Sequence, residues 1–434
     1  MLFDLGLING RIYLNGRWIE GNLYLKDGII SAITSNFLNS KNEYDVKGNM
    51  VLPGFIDPHV HFSLDLGKYK SVEDFKVGGM CAAYGGITTI IDFIEPVKSR
   101  EELDKSFKKR LKEAKDCCID YAFHSTICGM KSNLKDFITE CKLLGIPTIK
   151  FFTTYSSSDR RTNDDIIYDL IKASKDMNFL PLAHAENDEL ITEGAFPIKV
   201  HEKNRPTISE VSEVLKLSEY ADFSGGKIYI VHVSSGITVK KVKEKFSNII
   251  NNKIFLESCP HYFYFNSNVY EEDGGELYTM SPPLRSENER VTLINNIDWI
   301  NTIGTDHCSF MKSQKRNKYL NDIPMGVGGV ESSFRAMYSI FGEKIIDKFT
   351  IEPAKIHGLY PYKGTLNIGS QADIVVFDPN KRSNSSTHYN CDYNLYDENC
   401  LTGEIVSTIL KGRFLVKNGT FIGGQGTYVK REVR

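Results

Sequence analysis

The chain has 434 residues, 41% of them hydrophobic and 25% charged, which is an ordinary globular composition and more than one small core can use. A net charge of −2 gives no electrostatic case for binding nucleic acid or an anionic membrane. No apolar run is long enough to span a bilayer, and the opening MLFDLGLINGRIYLNG has no basic segment before an apolar one, so a cleaved leader is not expected. Nine cysteines, none in CxxC spacing, read as reduced structural thiols of a cytoplasmic protein.

In chain order, the first fifty residues are short apolar-rich runs divided by Asn9-Gly10, Asn15-Gly16 and Asp27-Gly28. These dipeptides favour positive φ and predict a meander of hairpins. The middle alternates apolar runs with charged, helix-like segments such as SREELDKSFKKRLKEAKD. The runs are 54–62, 88–95, 120–127, 147–154, 179–186, 227–235, 254–262 and 301–309, eight in all. Eight strand–helix units predict a closed (β/α)8 TIM barrel. The end returns to hairpin punctuation, with Lys411-Gly412 and Asn418-Gly419 as turns, and residues 383–399 predict a long surface loop. The expected organisation is a barrel over 53–364 and a small β-sandwich domain built from 1–52 plus 365–434.

Active sites of such barrels lie at the C-terminal ends of the strands, so the polar residues there carry the functional reading. The first run ends in DPHVHF, the fifth in LAHAEN, the sixth in IVHVSS and the eighth in IGTDHCS. His59, His61, His184, His232 and Asp306 therefore converge at one rim, and imidazole with carboxylate suits zinc and similar divalent ions. A single buried histidine is more often a satisfied core residue, and His124, His201, His261, His357 and His388 take that reading. Lys150 sits in mid-strand, in PTIKFFTTY, among residues built for burial. Beside cations its amine would lose its proton and could capture carbon dioxide, becoming a carboxylate-like ligand. Its other reading is an ammonium that reaches out to solvent.

The series VLPGFIDPHVHF, GGITTIIDF, HAEN, YIVHVSS, ESCPHYF, MSPPLR, GTDHCSF and GLYPYKGTLNIGSQADIVVFDP, in that order, resembles the cyclic amidohydrolases, within them the dihydropyrimidinase/hydantoinase group. The resemblance implies two divalent metal ions, zinc by habit of the family, with His59 and His61 on one and His184 and His232 on the other. Carbamylated Lys150 would bridge them, and Asp306 would complete the first site and act as general base. Tyr155 matches a tyrosine that hydrogen-bonds the scissile carbonyl, and Ser281 a residue whose backbone reads the ring amide. Met325, in IPMGVGG, stands where the family often has asparagine, in contact with substrate. Leu64 and Leu66, after His61, either line the pocket or pack their loop. The implied reaction opens a 5,6-dihydropyrimidine or hydantoin to an N-carbamoyl amino acid, in a homodimer or homotetramer.

Four other readings stay open, one of them a mononuclear deaminase on the same barrel, which would not need Lys150. Allantoinases share the ligands but usually lack a tyrosine at the place of Tyr155. Dihydroorotases carry an arginine where this chain has Ser63, and a Met-Pro-Asn run where it has Phe93-Ile94-Glu95. A metal-free scaffold of the same fold would have lost some of the ligands, all of which are present.

Overall fold

The computed structural model describes residues 2–385, 387–397 and 399–433. Five strands open the chain: β1 (Phe3–Leu14), β2 (Arg17–Lys26), β3 (Ile29–Thr34), β4 (Ser40–Asp45) and β5 (Met50–Pro53). Eight follow in the middle: β6 (Phe55–Val60), β7 (Ile87–Phe93), β8 (Asp120–Thr126), β9 (Thr148–Phe152), β10 (Leu180–His184), β11 (Ile228–Ile230), β12 (Ile254–Ser258) and β13 (Thr302–Ile303). The last four are β14 (Ile374–Asn384), β15 (Cys400–Leu410), β16 (Arg413–Lys417) and β17 (Thr420–Phe421).

Strands β6 to β13 pair in sequence order, all parallel, as an eight-stranded barrel wall. Being covered on both faces, they read as near-continuous apolar runs, which is why all eight are visible in the sequence. The ends meet through two backbone bonds: Asp306 N–H donates to the His59 carbonyl (2.8 Å) and His61 N–H to the His307 carbonyl (2.9 Å). An α-helix follows each strand. The one over Arg100–Glu113 is typical: Ser99 caps it through the Glu102 N–H, acidic residues fill its first turn and basic ones its last, matching the helix dipole.

The terminal strands form one mostly antiparallel sheet in the order β17-β16-β15-β14-β5-β1-β2-β3, with β4 added parallel to β1. The sheet curls onto itself: Tyr44 of β4 meets Phe414 of β16 at 5.1 Å and hydrogen-bonds Ser407 of β15 at 2.9 Å. Leu5, Leu23, Ile30, Val51, Ile374 and Ile409 fill the fold. The outer face joins the barrel through a continuous apolar core, in which Phe334 stacks on Phe55 at 4.1 Å and meets Phe377 at 5.2 Å.

Four of the five turn dipeptides sit between strands as expected. Asn9-Gly10 does not. It lies inside β1, where the register to β2 shifts between Leu7 and Gly10, so it makes a bulge. Asn9 takes the positive φ (60°), and a Cβ on Gly10 would come within 2.8 Å of the Val51 side chain. The stretch 383–399 also differs from a plain surface loop. Its first two residues end β14, and Tyr393, Asn394, Leu395 and Tyr396 are buried against the barrel helices. Ser386 and Glu398 lie outside the described residues.

Candidate metal centre and active site

The strand ends bring the ligand candidates together in two pairs. His59 and His61 meet Nε2 to Nε2 at 3.2 Å, and each Nε2 lies 3.1 Å from Asp306 Oδ1. One ligand atom from each of the three falls within 4.8 Å of the others. His184 Nδ1 faces His232 Nε2 at 3.0 Å. The rings of His59 and His232 are 5.5 Å apart, and the Lys150 Nζ lies 3.3 Å from His59 Nε2. Lys150 does not reach solvent: it is 3% exposed, with its Nζ 4.4 Å from the centre of the Phe93 ring.

Carboxylates behind the imidazoles fix which nitrogen faces inward. His59 Nδ1 donates to Glu257 Oε1 (2.7 Å) and His184 Nε2 donates to Glu186 Oε2 (2.7 Å). The opposite nitrogens, with lone pairs free, are the ones that converge. Glu257 also takes the His232 N–H (3.1 Å) and the Tyr229 hydroxyl (2.7 Å). Glu186 is held by Arg205 through two bonds of 3.1 and 2.5 Å, and Arg205 Nη2 reaches the Tyr155 hydroxyl at 3.4 Å.

Burial drives the electrostatics. It pushes the Lys150 amine down to about 8, against the pull of Asp306 and Glu257. It pushes His61 down to about 4, and His232 well below the usual histidine range, with His184 adding to the effect. For His59, burial and the Lys150 charge push down, and Glu257 and Asp306 outweigh them. Burial opposes the Asp306 charge, yet His59 and His61 hold its carboxyl well below the carboxylate range. Burial raises the Tyr155 phenol, keeping it a proton donor.

His61, Lys150, Tyr155, His184, His232, Ser281, Asp306 and Met325 line one cavity of about 550 Å³, and His59 lies beneath it. Leu64 and Leu66 line the same cavity and are not mere loop packing. Tyr155, His232 and Asp306 all have positive φ (71°, 40° and 50°), strain that the surrounding bonds must sustain. Nothing in the sequence marks Glu186, Glu257 and Arg205 as parts of the site, although HAEN and ESCPHYF contain the two glutamates. His201 also reaches this wall, with Nε2 bonded to the Met280 carbonyl at 2.8 Å.

Inward-facing imidazole nitrogens, an ionised carboxylate and an amine inclined to lose its proton form a donor set that fits a divalent cation. The comparisons agree. The model of the amidohydrolase family matches residues 50–415. D-hydantoinase of Geobacillus stearothermophilus is 32% identical over 98% of this chain and 95% of its own length. D-phenylhydantoinase of Escherichia coli O9:H4 is 29% identical over 98% and 97%. The crystal structure of dihydropyrimidinase from Brevibacillus agri superposes with a TM-score of 0.92 at 26% identity, covering 99% of this chain and 98% of that one. A nearly closed parallel barrel with a histidine–aspartate centre at its rim defines a metal-using hydrolase. The chain belongs to the amidohydrolase family, and that membership implies use of a divalent metal.

Proposed function

We propose that the protein is a metal-dependent cyclic amidohydrolase that opens the ring amide of a 5,6-dihydropyrimidine or hydantoin to an N-carbamoyl amino acid. The observation that carries this reading is the meeting of two imidazole pairs and Asp306 around a buried lysine amine. The names of the relatives, D-hydantoinase and dihydropyrimidinase, support the substrate class.

In this reading His59, His61 and Asp306 would hold one zinc ion, His184 and His232 would hold a second, and Lys150, once carbamylated, would be a ligand to both. A divalent cation supplies Lewis acidity there, acidifying water and drawing electrons from a carbonyl. Asp306 accepts the proton of the attacking water and returns it to the ring nitrogen as the C–N bond breaks. The Tyr155 hydroxyl donates to the carbonyl oxygen and binds it more tightly as negative charge develops, an effect of about 3 kcal/mol in comparable sites. Ser281 meets the ring amide through its backbone, and Met325 closes the wall beside it. The same reading makes the active species a homodimer or homotetramer. Nine unpaired cysteines, seven of them buried, accord with a cytoplasmic location.

The test is a substrate panel with zinc-loaded protein: dihydrouracil, dihydrothymine, hydantoin, 5-substituted hydantoins, allantoin and dihydroorotate. Opening of a dihydropyrimidine or hydantoin with two metals per chain is expected. Hydrolysis of none of them, or of allantoin or dihydroorotate alone, overturns the proposal.

A further inference from the structure

Arg160 stands out among the charged residues that surround the cavity. Its neighbours on the loop after β9 are neutralised: Asp159 pairs with Lys98 (3.0 Å), and Arg161 with Asp188 and Glu189 (3.4 and 3.3 Å). Lys68, which also lines the cavity, pairs with Asp322 (3.3 Å). Deeper in, Arg205 is committed to Glu186. Arg160 lines the cavity, is only partly exposed, and among the described residues its guanidinium has no hydrogen bond or ion pair. Its one tether is its backbone N–H, bonded to the Tyr155 carbonyl at 3.2 Å, and its charge acts on the Tyr155 phenol. The loop that carries the phenol therefore also carries this cation. Of the carboxylates that line the cavity, Asp306 meets His59 and His61, and Glu193 is exposed and acts on Arg205.

The rest of the wall sets the shape of what would reach Arg160. Leu64, Leu66, Leu320, Ile323 and Met325 give the cavity an apolar lining, and its volume exceeds what a bare dihydropyrimidine ring requires. A guanidinium withdrawn partly from water with no counter-charge is costly, and a carboxylate is its best partner because the fork of N–H donors matches two oxygens at once.

We propose that Arg160 binds an anionic group at the end of the ring substituent, so that the preferred substrate is a cyclic ureide with an acidic side chain, such as the hydantoin of glutamate. The inference rests on the cyclic-ureide reading above and narrows it. It differs from a dihydroorotase clamp, which would grip a carboxylate on the ring itself from the position of Ser63. The reaction adds water across the ring amide: the carbonyl carbon takes the hydroxyl, the nitrogen takes the proton, and the side-chain carboxylate is unchanged.

The experiment compares 5-(2-carboxyethyl)hydantoin with its neutral isostere, 5-(2-carbamoylethyl)hydantoin, on zinc-loaded wild type, Arg160→Gln and Arg160→Lys. In wild type, kcat/KM should favour the carboxylate by at least tenfold. That ratio should fall by tenfold or more in Arg160→Gln and be partly kept in Arg160→Lys, mainly through KM. The preference should also shrink with added salt. A wild-type ratio at or below one overturns the inference, whether or not the variants fold, and so does a ratio that Arg160→Gln leaves unmoved. If simple hydantoins are opened while the carboxylate is refused, only this inference falls. If no ring is opened, the reading beneath it falls as well.

Discussion

Lys150 and Tyr155 share one segment of strand and loop but should fail differently. In the proposed reading Lys150 is a ligand shared by both halves of the centre, so Lys150→Ala should bind at least one metal equivalent less and lose most activity. Metal analysis beside kinetics checks this, and full two-metal content in the variant would refute the shared-ligand role. Tyr155→Phe removes one hydroxyl from the cavity wall. The expected result is unchanged metal content with kcat lowered on the order of 100-fold and KM little altered. Arg205 touches both Glu186 and the Tyr155 hydroxyl, so Arg205→Met should disturb both sides. It leaves the buried Glu186 carboxylate with the His184 N–H but without its guanidinium partner, for which a loss of about 3–5 kcal/mol of stability is expected, read as a lower Tm. The four histidines and Asp306 that converge were legible because each stands at the end of an apolar run, and Lys150 because it interrupts one. The residues that orient them were not. Glu186, Glu257 and Arg205 have the composition of surface charge, and only the fold reveals that they are buried. Nor does any glycine or asparagine announce the positive φ of Tyr155, His232 and Asp306.

Among the elements, the loop after β11 is held by two buried carboxylates, Glu210 and Glu289, the latter accepting the Ser235 hydroxyl (2.7 Å) and the Ile237 N–H (3.0 Å). Glu210, from the helix Thr207–Ser224, accepts the Ser234 N–H (3.0 Å), the Ser235 N–H (3.0 Å), the Thr238 hydroxyl (2.7 Å) and the Ser234 hydroxyl. These bonds fix the two residues that follow His232-Val233 and the start of the helix Gly236–Phe246. Glu210→Ala strands several buried donors and should lower stability by about 3 kcal/mol. In the proposed two-metal reading it should also weaken metal retention at His184 and His232 more than at His59 and His61, which competition with a chelator would resolve. Equal loss at both would contradict a local role. The barrel strands were legible by burial and by count. Asn9-Gly10 was misread because a bulge and a hairpin ask for the same positive φ, and only pairing across the sheet tells them apart.

For the whole molecule, we propose that 53–364 and 1–52 plus 365–434 are two domains that unfold together. Their apolar core is continuous, and buried charges tie them. Asp120, at the start of β8, accepts from Lys363 (2.8 Å), Lys411 (2.7 Å) and the Thr427 N–H (2.9 Å), while Lys363 also reaches Asp373 (2.6 Å). Calorimetry should give one transition, and two well-separated ones would count against the coupling. Burial raises the Asp120 carboxyl, but Lys363 and Lys411 more than compensate and hold it below its ordinary value. A depressed carboxyl stabilises the fold above its unfolded pKa of about 3.9 and loses that contribution as the pH falls towards the folded value. Asp120→Asn should therefore lower Tm at neutral pH, and the gap from wild type should narrow below about pH 4. A gap independent of pH would remove the ionic role. The pairing of β5 with β14, which joins distant parts of the chain, was suggested only by the similarity of the two termini.

The barrel closes where His59 and His61 meet Asp306 and His307, which means that the first strand of the wall and the last each bring part of the same centre. During synthesis the two histidines emerge early and must wait for nearly the entire wall before their carboxylate partner arrives. An ion captured by the nascent chain would be held loosely, and firm loading becomes a late event. A bound metal would thus mark a completed wall, being retained only by molecules whose seam has zipped shut.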